Sequence, residues 1–186
     1  MALRILLIAC AIIQLWITLK HSYHEAEAVE FKMTNLVCET LNKSWMVFHK
    51  CRLRAVSRNR TCMYLNGTIL HPAYKIHTRL EIFQKANGYK PWLINTTVDV
   101  CRFLKKPFNP VAITIAKLFL EFSNFNHTCP YLGPQIVDGF YLRYKSLPHG
   151  MPTGEYLLSL TWHFDWKPQF ITNIYFKFIE DIKADT

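Results

Sequence analysis

The chain has 186 residues, with 22 Lys and Arg against 13 Asp and Glu, giving a formal net charge of +9. Aromatic residues make up 15% of it, and the six cysteines are spread from residue 10 to residue 129. That length is enough for one domain with a real core and excludes two, once the N-terminal segment described next is set aside.

The first stretch, "MALRILLIACAIIQLWITLKHSYHEAEAVEF", places Arg4 before an apolar run from Ile5 to Leu19 and ends in the small-residue site Ala26-Glu27-Ala28. This order of charge, apolar core and A-x-A-like end is that of a secretory signal peptide, and the apolar run is short of the roughly 20 residues a membrane span needs. The expectation is therefore a signal peptide over 1–28 and a single secreted domain over 29–186. In an oxidising compartment cysteines are disulfide material and N-x-[ST] is a glycan acceptor. Sequons start at Asn42, Asn59, Asn66, Asn95 and Asn126. Asn42, Asn59, Asn66 and Asn126 are the expected glycosylation sites. Asn95 is set apart because it falls inside an expected strand. Arg4 and Lys20 leave with Glu25 and Glu27, so the mature charge stays at +9. On a secreted protein such a balance suits anionic surfaces rather than nucleic acid.

In chain order, "FKMTNLVCETL", "SWMVFHKCRLRAV", "TCMYLNGTIL", "KIHTRLEIF" and "WLINTTVDVC" read as strands, followed later by "FYLRYKSL", "EYLLSLTWHFDW" and "QFITNIYFKFIE". The clearest alternate with period two: Ile76, Thr78, Leu80 and Ile82; then Tyr156, Leu158, Leu160, Trp162, Phe164 and Trp166; then Phe170, Ile174, Phe176 and Phe178. Turn signals stand at Asn66-Gly67, His71-Pro72, Asn87-Gly88, Lys90-Pro91, Asp138-Gly139 and Pro148-His149-Gly150. One segment differs. "NPVAITIAKLFLEFSN" opens with Asn109 as N-cap and Pro110 at the first helical position, which predicts a helical insertion over about 109–123. Its surface is apolar except for a stripe of Thr114, Lys117 and Glu121, so it must be covered on most of its girth, as core packing or as a lid over an apolar cavity. Together these elements predict an all-β, immunoglobulin-like sandwich carrying one helical insertion.

Cys10 falls in the signal, leaving Cys38, Cys51, Cys62, Cys101 and Cys129. Five is odd, and spacing alone does not fix connectivity. Cys101 with Cys129 would close a 28-residue excursion worth roughly 3–4 kcal/mol. Cys38 and Cys51 sit near facing positions of an expected hairpin, and Cys62 is then left over, free or available for a covalent dimer. A metal reading of His127-x-Cys129 lacks a second closely spaced pair. No G-x-S-x-G, H-E-x-x-H or phosphate loop occurs, so neither a catalytic residue, a metal nor a cofactor is expected.

The run "NGYKPWLINTTVDVCRFL" (87–104), then "SNFNHTCPY" (123–131), "LPHGMPTGEYLLSLTW" (147–162) and "FKMTNLVCETLNKSW" (31–45) closely resembles a family of secreted insect proteins of unknown function. That family is similar to the chemosensory-B proteins of flies, linked to contact pheromone detection, and more distantly to the lipid-recognition superfamily of the ganglioside activator protein. The resemblance implies a sandwich of lipid-recognition type whose sheets separate to hold acyl chains, with Cys38, Cys51, Cys101 and Cys129 as the family cysteines. Cys62 and the Asn59 sequon depart from the pattern.

The expectation is a non-enzymatic binder of a lipid or other apolar ligand between two sheets, in chemosensory or pheromone-related signalling, with a membrane receptor among its partners. Its lining would be Leu80, Ile82, Trp92, Ile94, Val98, Phe119, Phe140, Trp162, Phe164 and Phe176, and Lys105 and Lys106 would draw an anionic head group to the mouth. Burying about ten methylenes gives roughly 8 kcal/mol before ordering costs, comparable with micromolar binding. The alternative is an extracellular protein-interaction module whose aromatic core is filled.

Overall fold

Segments that alternate apolar and polar side chains satisfy both environments only when they lie between a core and solvent, and most of this chain is built that way. The computed structural model describes Gln14 and residues 30–57, 60–142 and 151–179. The expected signal segment apart from Gln14, the acceptor Asn59 and the Pro148-His149-Gly150 turn lie outside the described residues. The elements are β1 (Glu30–Thr40), β2 (Met46–Ser57), β3 (Arg60–Ala73), β4 (Ile76–Ala86), β5 (Gly88–Asp99), α1 (Val100–Lys105), α2 (Pro110–Phe119), a 3-10 turn (Leu120–Phe122), β6 (Tyr131–Phe140), β7 (Gly154–Phe164) and β8 (Lys167–Ile179). A five-stranded sheet runs β1-β8-β7-β4-β5 and faces a three-stranded sheet, β2-β3-β6; every pairing is antiparallel. The chain is thus an all-β sandwich with one helical insertion.

The period-two reading holds along the strands that build the core. Tyr156, Leu158, Leu160 and Phe164 of β7 are buried, as are Phe170, Ile174, Phe176 and Phe178 of β8 and Ile76, Thr78 and Leu80 of β4. Trp166 leaves the pattern: with Asp165 it forms the β7–β8 turn, at φ of 64° and 48°, and is 67% exposed. Paired positive φ values match the right-handed strand twist but favour Asn or Gly. Here the Trp166 ring stacks on His77 at 3.7 Å, a contact that offsets the strain.

Other expectations need correction. The segments around Cys38 and Cys51 are not a hairpin: β1 pairs with β8 and β2 with β3. The Cys38–Cys51 disulfide therefore joins the two sheets along one side of the sandwich. Asn66-Gly67 is mid-strand in β3, where a Cβ on Gly67 would run into the Met46 side chain. The strand expected at 140–147 lies earlier, at Tyr131–Phe140, with Tyr141 and Leu142 outside it and 143–147 outside the described residues. Its Pro134 is tolerated because β6 is an edge strand. Its Gly139, at φ 67°, sits where pairing slips from Met63↔Phe140 to Leu65↔Val137, a bulge rather than a turn. Both expected pairs are present, Cys101–Cys129 with Cys38–Cys51, and Cys62 is unpaired and 4% exposed, too buried to offer its sulfur to a second chain.

Replacing Cys38 and Cys51 together by Ser is expected to lower unfolding free energy by about 3 kcal/mol. Urea unfolding of the oxidised protein and the double variant measures it; an unchanged midpoint would mean the sheets are held without that bridge.

Candidate ligand-binding cavity

The two sheets meet along β1 and β2, where the disulfide lies. Their other edges, β5 and β6, are joined in sequence by the helical insertion. Asp99 ends β5 and caps α1, its carboxylate accepting from the Arg102 N–H at 2.9 Å. Asn109 caps α2 by accepting from Ala112 N–H at 3.0 Å, and its amide reaches Thr96 of β5 at 3.5 Å. At the far end Phe119 stacks on Phe140 of β6 at 4.2 Å, and the Asn124 side-chain amide donates to Pro134 O and accepts from Ile136 N–H of β6, while its backbone N–H donates to Ile136 O. Cys101–Cys129 ties α1 to the loop that enters β6. The helices are moored at both edges and span the side between them.

Beneath them lies a cavity of about 190 Å³. Its floor is Ile76, Thr78 and Leu80 of β4 with Leu160, Trp162 and Phe164 of β7, and its opposite wall includes Met63, Leu65 and Ile69 of β3. Ala112, Ile115, Ala116 and Phe119 of α2 form the lid. Leu120 lines the cavity and is 40% exposed, so it reaches both the cavity and solvent.

Five of the ten residues expected as lining are there: Leu80, Val98, Phe119, Trp162 and Phe164. The other five are not. Phe140 stands against Phe119 from β6. Trp92 packs on Tyr156 at 5.2 Å, and Tyr156 stacks on Phe176 at 5.5 Å, so these rings fill the inner face beyond the cavity. Ile82 pairs with Leu158 in that same filled region, and Ile94 is half-buried on the edge strand β5. Of β7, the cavity takes only the rows from Leu160 to Phe164. The β3 wall was missed although Met63, Leu65 and Ile69 alternate, as were Ala112 and Ala116, small residues one helical turn apart that leave room under the lid. Lys105 and Lys106 are exposed at the end of α1 and are not part of the lining. Of the sequons, Asn126 and Asn95 are exposed, Asn42 and Asn66 half-buried, and Asn95 accepts a hydrogen bond from Arg79 at 3.3 Å.

Among the described residues no charged side chain lines the cavity. Its few polar members include Thr78, Ser123, Gln135 and Thr172. Gln135 donates to Gly133 O at 3.3 Å, whereas Thr78 Oγ1 and Trp162 Nε1 are buried without a hydrogen-bond partner among the described residues. Each unmade bond of this kind costs about 1–3 kcal/mol. Tyr131, also in the lining, directs its hydroxyl away to the backbone: it donates to His127 O at 2.7 Å and Phe125 O at 3.2 Å, fixing the loop that carries Asn126 and Cys129.

Burial pushes the Tyr131 hydroxyl up to about 12, against about 10 in an unfolded chain. The proton is also what makes both loop bonds. Its contribution is therefore complete below pH 10 and is lost as pH rises through 12. Melting temperature is expected to fall across that interval, and more steeply than in Tyr131→Phe, which starts lower. Parallel curves for the two proteins would contradict the clamp.

Residues 78–158 match the family model described as a protein of unknown function, DUF1091. The match runs from Thr78 in the cavity floor through both helices and β6 into β7, and so takes in the whole lid. No curated protein matches the chain.

Proposed function

We propose that this protein is a secreted, glycosylated, non-enzymatic carrier of a small apolar ligand, held between its two sheets under the helical lid. The observation that supports this reading is the cavity itself, apolar on nearly every side and capped by an insertion moored at both sheet edges. A protein-interaction module with a filled core would not need one. Volume bounds the ligand: an apolar cavity of about 150 Å³ accepts benzene, so this one suits on the order of eight carbon atoms rather than a two-chain lipid. Burying eight methylenes supplies about 6 kcal/mol before ordering costs, a dissociation constant on the order of 10–100 µM. A single medium-length chain of this size fits the chemosensory role that the resemblance to the fly proteins implies, with a membrane receptor as the partner that reads the loaded carrier. Lys105 and Lys106 then serve that surface encounter rather than the cavity.

Filling the space tests the assignment. Ala112→Phe places a ring under α2, at an over-packing cost of about 1–3 kcal/mol. Saturable uptake of nonane, followed by headspace gas chromatography, is expected in the native protein and should weaken at least tenfold in the variant. Circular dichroism should show the same fold in both. Equal uptake by a folded Ala112→Phe protein would place the apolar site elsewhere.

A further inference from the structure

Trp166 stands in the β7–β8 turn at a φ of 64° that suits Asn or Gly, and this largest of side chains belongs to a residue 67% exposed. Strain retained at an exposed position is a mark of function rather than of packing. Beside it is the β3–β4 turn, which carries Tyr74, 68% exposed. The Asp165 N–H donates to Lys75 O at 3.1 Å and joins the two turns. α1 adjoins them, with Cys101 Sγ 3.2 Å from the Tyr74 carbonyl oxygen. Register places all three at one end of the five-stranded sheet: Ile76 pairs with Phe164, and His77 with both His163 and Asp99.

Charge gathers at the same end. Segments 74–75, 99–108 and 165–167 hold the cations Lys75, Arg102, Lys105, Lys106 and Lys167 against the carboxylates of Asp99 and Asp165. All five cations are exposed, and none forms an ion pair among the described residues. The Asp99 carboxylate is turned to the Arg102 backbone N–H. Phe108, 44% exposed, lies under the Arg102 guanidinium at 4.9 Å. Exposed Trp and Tyr rings amid unpaired cations suit the head-group layer of an anionic bilayer, where such rings set their apolar bodies below a charged surface.

We propose that this end of the sandwich is a docking surface for anionic lipid membranes, with Trp166 and Tyr74 entering the head-group layer and the surrounding cations facing its phosphates and carboxylates. A protein partner would have to bury both rings in matching pockets while also supplying the missing anions. A bilayer offers negative charge and apolar depth without a matching shape.

The test is co-sedimentation of the mature protein, its glycans in place, with vesicles of phosphatidylcholine alone or with about one third phosphatidylserine. The native protein is expected to bind the anionic vesicles, to ignore the neutral ones and to leave in high salt. Lys75→Glu with Lys167→Glu should weaken binding at least tenfold, at about fivefold per charge. Arg52→Glu with Arg54→Glu makes the same change in net charge on β2 of the other sheet and should cost about threefold at most. Trp166→Asn fits the turn, and loss of the ring should weaken binding about fivefold or more. Circular dichroism checks that every variant keeps the fold. Equal losses from the two charge reversals would mean that net charge alone attracts the protein, and Trp166→Asn binding like the native protein would take the ring out of the contact; either overturns this docking surface. A native protein that ignores anionic vesicles overturns it as well and leaves that end to a protein partner. None of these outcomes depends on whether the cavity takes up nonane, so the carrier reading stands or falls separately.

Discussion

A sheet of five strands cannot be covered by a sheet of three. At about 4.8 Å per strand the larger sheet is roughly 24 Å wide and the smaller roughly 14 Å, leaving about 10 Å of apolar face, close to the diameter of one helix. The helical insertion occupies that strip, between the β5 edge and the β6 edge. A helix rests on a sheet through a few side chains rather than through a second pleated surface. Where those side chains are Ala112 and Ala116, the layers do not meet, and the cavity is the space that remains. The size of the cavity thus follows from a strand-count mismatch and two small residues.

The same mismatch explains where the covalent and polar restraints fall. One side of the sandwich is closed by strand contact and by Cys38–Cys51. On the other, the described residues show no strand pairing between the sheets, and closure depends on Cys101–Cys129, on the caps Asp99 and Asn109, and on Asn124 and Tyr131 holding the return into β6. All of these act on the backbone around the lid and none enters the cavity with a charge. The interior is thereby left apolar apart from a few uncharged groups on its wall.

Much of this was readable from the residues. Large aromatic and branched side chains at strict alternation gave β4, β7 and β8 their faces, and Asn109-Pro110 gave α2 its start, because in each the local signal and the tertiary environment agree. Elsewhere they diverge. In α1 the run Val100-Cys101-Arg102-Phe103 is β-prone, and only the capping carboxylate of Asp99 shows that the strand has ended. β6 carries Gly133, Pro134 and Gly139, breakers that an edge strand and a bulge absorb. Nearness in sequence made Cys38 and Cys51 look like hairpin neighbours, although β1 pairs with β8 and not with β2. For the cavity, periodicity told which face of each strand is inward but not which rows lie opposite the helix. That is why Trp92 and Phe176 proved to be packing on Tyr156 while Leu65 and Ala116 faced the space.

On the carrier reading, the space under the lid exists to be occupied. That reading is tested most directly by native mass spectrometry of the protein secreted from insect cells, with extraction and identification of whatever departs on unfolding. One neutral molecule of about eight to ten heavy atoms per chain, lost on denaturation, is the expected result. An intact mass equal to that of chain and glycans alone, in a protein that also stays empty when offered ketones, esters, alcohols and alkanes of that size, would contradict it.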